Sequence, residues 1–225
     1  MSAPSHQVRV VSVRREGHLA YVTLEVPADF TFEAGQHLIL HTEEGPFYYS
    51  ISSAPSVLPR VELLIGCKPG DQRTEHLLGQ MESGQALGLT GPFGSFHLPE
   101  NLSDHLLFIG MGTGISPLRA MILQLTEQSY PGNIHLVQGA AETLQLPYHH
   151  NFEQLEKGFS AFHYHPVLSR EDWQGHNGRV HDIYPDIITE NTNVFLCGSQ
   201  EMVEECEVRL GTLGVKREKV FREKY

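Results

Sequence analysis

His105-Leu106-Leu107-Phe108-Ile109-Gly110-Met111-Gly112-Thr113-Gly114-Ile115-Ser116-Pro117-Leu118-Arg119-Ala120 is the stretch whose reading decides the fold. Its first half is an apolar run of the kind a buried parallel strand requires. Its middle is a glycine-rich turn, and its end is a helix start, with Ser116 as N-cap and Pro117 as first helical residue. Gly112 and Gly114 let the chain turn tightly and let a phosphate reach backbone N–H groups. The helix that follows would direct its positive end at that phosphate. Pro117 stands where the third glycine of a G-x-G-x-x-G pattern would be, so the same residues also suit a strand–turn–helix with no ligand. The surroundings have to decide.

The chain has 225 residues and a formal net charge of -11. That length supports two domains. The charge excludes a general attraction to nucleic acid or an anionic membrane. No segment is long and apolar enough to span a bilayer, and the N-terminus lacks a secretory signal, so a cytoplasmic protein is expected. Cys67, Cys197 and Cys206 are too few and too scattered for a disulfide framework or an iron–sulfur site. The 14 histidines are numerous but do not fall in a familiar metal-ligand spacing, and no metal is expected.

Working back toward the N-terminus, residues 1–99 read as strands joined by turns. Val8–Val13, Leu19–Val26, His37–His41, Phe47–Ser52, Val61–Ile65 and Leu87–Thr90 are the candidate strands. Thr74–Met81 is the one candidate helix. Short strands in this number suggest a small closed antiparallel β-barrel, which removes exposed edges. In Phe47-Tyr48-Tyr49-Ser50, aromatics beside a hydroxyl offer a ring face and a polar edge to a planar cofactor. They equally suit a strand with one face in the barrel core. Gly70-Asp71-Gln72-Arg73-Thr74 leads into the helix. Its N–H groups, Arg73 and the Thr74 hydroxyl would suit a diphosphate, and an ordinary capped surface helix explains it too.

Working forward, residues 104–225 change period. Helices are expected at Pro117–Gln128, Phe152–Lys157, Val180–Ile188 (interrupted by Pro185) and Glu201–Leu210. Strands are expected at Asn133–Gln138, Phe162–Leu168, Asn193–Cys197 and Val220-Phe221. The alternation argues for an α/β unit with a parallel sheet covered on both faces. Ligands bind such sheets beyond the carboxyl ends of the strands. Gly112–Ser116, Gly139–Glu142, Ser169-Arg170 and Cys197–Glu201 all follow strands in this way, and their convergence favours a nucleotide. Pro99–Ser103 is the expected domain boundary.

With these residues in hand, the chain resembles the ferredoxin–NADP reductase superfamily of flavoproteins, nearest the short NAD(P)H:flavin oxidoreductases. The Gly35-Gln36 turn, Tyr49-Ser50, Gly91-Pro92-Phe93-Gly94, Gly112–Pro117 and Cys197-Gly198 occur in the family's order. The resemblance implies a flavin-binding barrel (1–99), an NAD(P)-binding α/β domain (104–225), and hydride transfer from NADH or NADPH to FAD or FMN. It places Tyr49 beside the flavin ring with Phe47 and Tyr48, Ser50 near its N5, and Gly70, Gln72, Arg73 and Thr74 at the flavin phosphate. Gly112, Thr113, Gly114 and Pro117 fall under the nucleotide diphosphate. Cys197 and Gly198 fall by the nicotinamide, with Glu201 close behind, and Tyr225 covers the flavin. Ser169 and Arg170 suit a 2′-phosphate, whereas Ala141 stands where relatives often carry a basic residue. The catalytic set is Ser50, Cys197 and Glu201.

One departure matters. Many relatives carry an arginine at the position of Phe47, where it pairs with flavin phosphate. Three readings remain open: a flavin reductase releasing reduced flavin, a FAD-bound electron-transfer reductase serving ferredoxin, flavodoxin or an oxygenase, and a non-catalytic binding module.

Overall fold

Alternation of buried and exposed side chains builds the first sheet. In β1 (His6–Glu16) Val8 and Val10 are buried between exposed neighbours, and β2 (Leu19–Glu25) buries Val22 and Leu24 in the same rhythm. The strands β3 (His37–Thr42), β4 (Gly45–Ser50) and β5 (Arg60–Gly66) follow, then helix α1 (Gln72–Gln80) and β6 (Ala86–Phe93). The computed structural model describes residues 5–225. The six strands pair antiparallel in the order β4-β3-β6-β1-β2-β5. The two outer strands then meet: Ile51 bridges to Leu63, and the Ser52 N–H donates to the Glu62 carbonyl at 2.8 Å. That closure removes the open edges and encloses a core containing Leu24, Leu38, Leu40, Leu63 and Leu89. Each such side chain contributes about 2 kcal/mol by leaving water.

The second sheet starts from β7 (His105–Met111), a strand with five consecutive buried residues because both its faces are covered. The chain continues through α2 (Ile115–Glu127), β8 (Asn133–Ala140), α3 (His149–Gly158), β9 (Phe162–Leu168), β10 (His176–Asn177), β11 (Asn193–Gly198), α4 (Gln200–Thr212) and β12 (Val220–Lys224). All pairs are parallel, in the order β10-β9-β8-β7-β11-β12. Register places Phe108, Phe195 and Phe221 side by side on three strands, with ring centroids 4.7 Å and 5.0 Å apart. Met202, Val203, Cys206 and Leu210 of α4 close over Leu107, Ile109, Val194 and Leu196.

By contacts the chain forms two units. The first runs to His97 and takes in Arg119–Gln124, and the second is Leu98–Leu118 with Leu125–Tyr225. No helix among the described residues is long and apolar enough to cross a membrane.

Three expectations change. Ser116 is no N-cap: a 3-10 turn at Gly112–Gly114 runs straight into α2, and the Ser116 hydroxyl is buried with no hydrogen-bond partner. Val180–Ile188 is not an α-helix but two 3-10 turns, Val180–Asp182 and Tyr184–Asp186, because Pro185 cannot donate to a continuing ladder. No strand is expected between Phe162–Leu168 and Asn193–Cys197, yet β10 forms there, and its two exposed residues carry no apolar alternation to announce them. Beside β10, strand pairing also sets His135 against His163, with His165 next along β9. His135 Nδ1 and His165 Nε2 lie 3.1 Å apart.

Candidate functional site

In the barrel unit, strand alternation puts Phe47 and Tyr49 on the same side of β4. Their rings run parallel, 6.2 Å apart and 8° from coplanar orientation. Phe47 is buried in the core, and Tyr49 packs against that core. Burial pushes the Tyr49 phenol well above its ordinary range, so it stays protonated at neutral pH. Tyr48 points the other way and is exposed, with its ring 6.4 Å from that of His37. Ser50 ends the strand, half-buried and in register with His37.

The segment Gly70–Thr74 is joined to this strand through one side chain. The Arg73 guanidinium lies 4.0 Å over the Phe47 ring and donates to the Pro46 carbonyl at 2.7 Å. Gly70 takes the left-handed conformation, φ +87°, that lets the chain turn into α1. Asp71, not an external ligand, caps that helix: its carboxylate accepts from the Thr74 N–H at 3.1 Å. The Thr74 hydroxyl bonds to the same carboxylate, and these contacts hold Asp71 below the usual carboxylate range. Thr74 is thus buried and committed to Asp71, while Gln72 and Arg73 face solvent.

In the α/β unit, the turn after β7 needs its glycines. Gly112 sits at φ +53°, and a Cβ on Gly114 would come within 2.5 Å of the Cys197 carbonyl oxygen. The turn holds a guest of its own. Tyr225 accepts from the Gly114 N–H through its hydroxyl at 2.9 Å and donates to the Met111 carbonyl at 2.7 Å. An amide that already holds a hydroxyl oxygen is chemically suited to a phosphate oxygen. Thr113 also bonds to the Tyr225 hydroxyl, and Pro117 is buried in the first turn of α2.

Beyond the carboxyl ends of β8, β9 and β11 lies a cavity of about 330 Å³, lined in part by Met111, Gly139, Ser169, Arg170, Arg179 and Glu201. Sequence reasoning found Ser169, Arg170 and Glu201 here but missed Arg179, which follows Gly178 in a polar loop with no periodic signal. Arg179 pairs with Glu205 at 3.4 Å. Cys197 and Gly198 are buried, and burial drives the Cys197 thiol far above its ordinary range, so it is no thiolate nucleophile. Its part in the turn is played by its main-chain carbonyl against Gly114. Glu201 is exposed in the first turn of α4, behind the Ser199 N-cap.

The sequence matches two family models, an oxidoreductase FAD-binding domain over residues 8–98 and an oxidoreductase NAD-binding domain over residues 108–207. It is 32% identical to ferredoxin–NADP reductase B of Sorangium cellulosum, over 87% of this chain and 86% of that protein. It is 31% identical to the phenol hydroxylase P5 protein of Acinetobacter pittii, over 81% of this chain but only 54% of that protein. The fold is similar to that of the Amycolatopsis cytochrome P450 reductase GcoB, with a TM-score of 0.89 at 24% identity, covering 100% of this chain and 71% of that one.

Proposed function

Because this chain belongs to the ferredoxin–NADP reductase superfamily of FAD- and NAD(P)-binding oxidoreductases, we propose that it acts as an NAD(P)H-dependent flavin reductase. In this reading NAD(P)H is taken by the α/β unit, and FAD or FMN is taken by the barrel and released reduced. The observation that carries the reading is the presence in one chain of the Phe47–Ser50 strand and of a glycine turn whose Gly114 amide already holds an oxygen ligand. A flavin, when bound, supplies the hydride-accepting ring, and the nicotinamide supplies the hydride. The chain's own residues position. Tyr49 gives an apolar ring face, and the Ser50 hydroxyl orients the ring edge and holds a proton there. Gly112–Gly114 with Thr113 bind diphosphate oxygens. Cys197, a neutral thiol, keeps its surroundings small and dry, and Glu201 presents a carboxylate at the start of α4. Phe47, standing where a strand cation would hold flavin phosphate, supports a flavin that comes and goes.

Arg170 lines the cavity and makes no carboxylate pair within 4 Å among the described residues, which supports a preference for NADPH over NADH through the 2′-phosphate. A second reading is a FAD-retaining electron-transfer module for an oxygenase partner. It is supported by the P5-type relative, of whose length this chain spans about half.

One experiment separates them. The visible absorption of the purified protein is recorded anaerobically, before and after added FMN or FAD and each reduced nucleotide. A colourless protein that bleaches added flavin supports the reductase. A yellow protein that bleaches without added flavin supports the module. Flavin that stays oxidised with both nucleotides excludes both and leaves a non-catalytic module.

A further inference from the structure

We propose that Glu171, clasped to Thr143, is a positioning residue that sets the preference for a 2′-phosphorylated nucleotide by fixing the loop that carries Arg170. The inference rests on the nucleotide reading above and adds a residue outside the lining of the cavity. The loops after β8 and β9 are joined stepwise. Strand pairing ends at Ala140 and Leu168, and two main-chain bonds continue it: the Ser169 N–H donates to the Ala140 carbonyl and the Arg170 N–H to the Ala141 carbonyl, both at 3.0 Å. Glu171 makes the next link with its side chain. One carboxylate oxygen accepts from the Thr143 N–H at 2.6 Å, and the other accepts from the Thr143 hydroxyl at 3.0 Å. Hydrogen bonds to an ionised acceptor are stronger than neutral ones, and a two-point bond fixes direction as well as distance. Arg170 is thus held from both sides, by its own N–H and by the residue after it.

The clasp also disposes of a charge. A carboxylate one residue from a phosphate-binding arginine would pair with that arginine or repel the phosphate. Both Glu171 oxygens are instead turned to Thr143 on the neighbouring loop. The other arginine of the cavity, Arg179, is occupied by Glu205 at 3.4 Å. The phosphate contact therefore falls to Arg170, an exposed side chain whose long stem loses freedom on binding. A fixed main chain at its root limits that loss and keeps the guanidinium at the cavity it lines. Two residues past the clasp, Trp173 packs on Ala140, Leu146 and Leu168, and its indole N–H donates to the His176 carbonyl at 2.8 Å. It is the chain's single tryptophan, so its fluorescence reports the state of this loop.

The test measures, on the full chain, the binding of NADP+ and NAD+ by calorimetry and the emission of Trp173. The unsubstituted protein binds NADP+ about tenfold more tightly than NAD+, the size of one charge-assisted contact. Glu171→Ala brings the two within about twofold by weakening NADP+ alone, and its Trp173 emission moves to the red as the loop loosens. Glu171→Gln keeps an acceptor for the Thr143 N–H and retains both the preference and the emission of the unsubstituted protein. Thr143→Val, a change on the other loop, keeps the main-chain half of the clasp and lowers the preference to about fivefold. A Glu171→Ala protein that keeps the full preference, whether or not its emission shifts, overturns the inference while the nucleotide reading stands. So does a preference that rises in both Glu171 variants, which would make the carboxylate a source of repulsion and not a clasp. An unsubstituted protein that binds the two nucleotides alike overturns it as well. Binding of neither nucleotide overturns the nucleotide reading and the inference with it.

Discussion

Each unit carries a backbone site suited to an anion, and each has filled it from within, but with different groups. At the start of α1 the occupant is the Asp71 carboxylate, a charged group one residue from the helix it caps. At the Gly112–Gly114 turn it is the hydroxyl of Tyr225, neutral and 111 residues from Gly114 along the chain. A local carboxylate cannot leave its helix and repels an incoming phosphate. The Tyr225 hydroxyl carries no charge to repel an anion, and leaving the turn costs it neutral hydrogen bonds to the Gly114 N–H and the Met111 carbonyl. The start of α1 is therefore held by a fixed charge, whereas the Gly112–Gly114 turn is held by a neutral group.

The sharpest way to break that contrast is Gly114→Ala. Its Cβ would meet the Cys197 carbonyl, which belongs to backbone that cannot give way. Overpacking of this kind costs about 2 kcal/mol of stability, and affinity for reduced nucleotide falls on the order of 100-fold. Thermal melting and KM for NADPH report the two effects, and flavin quenching is retained. Ser50→Ala acts in the barrel without touching either occupant. Turnover drops about 100-fold, the scale of a positioned proton-handling group, while flavin and nucleotide affinities hold. A loss confined to flavin affinity would place Ser50 in binding instead.

Tyr225→Phe is a finer probe. It frees the Gly114 amide at no cost in ring packing, and the KM for nucleotide falls about threefold, the net worth of one neutral hydrogen bond. A rise in KM would instead make the phenol a ligand contact and end the contrast between the two occupants.

The smallest effect is one of pH. His135 and His165 are both held near 4 by burial first and by neighbouring imidazoles second, with His105, His163 and His176 facing them and Glu156 opposing the shift at His165. A folded-state value below the ordinary 6.5 means that the unfolded chain binds the proton more readily. Stability is thus complete above pH about 6.5 and lost as pH falls toward 4. Both rings are partly solvated, so the loss is on the order of 1 kcal/mol between pH 7 and pH 5. Denaturant midpoints at the two pH values measure it, and replacing both histidines with Asn flattens the dependence.

Periodicity made most of the fold legible. Val8, Val10, Val22 and Leu24 alternate as a half-buried strand must, and Leu106–Ile109 run unbroken as a doubly covered one must. The failures came where local chemistry had two outlets. Ser116 has a cap's side chain in a cap's setting, yet the preceding glycines already form a helical turn and bury its hydroxyl. Val180–Ile188 has apolar spacing but holds a proline that restarts the turn. The glycine turn at Gly112 and Gly114 and the strand that ends at Tyr49-Ser50 were readable as local structure. Asp71 and Arg179 were not, because nothing in one dimension says which loop carboxylate or cation faces which backbone.

The sequence alone determined the two units, their strand periods and the place of the glycine turn, since these follow from hydrophobic spacing and from the few residues able to adopt a left-handed turn. Only the tertiary structure decided that Arg73 rests on Phe47, that Asp71 closes the start of α1, and that Tyr225 sits on Gly114. Those contacts join residues separated along the chain, or choose among competing local partners. Their geometry exists only once strand register and packing have fixed where each side chain can reach.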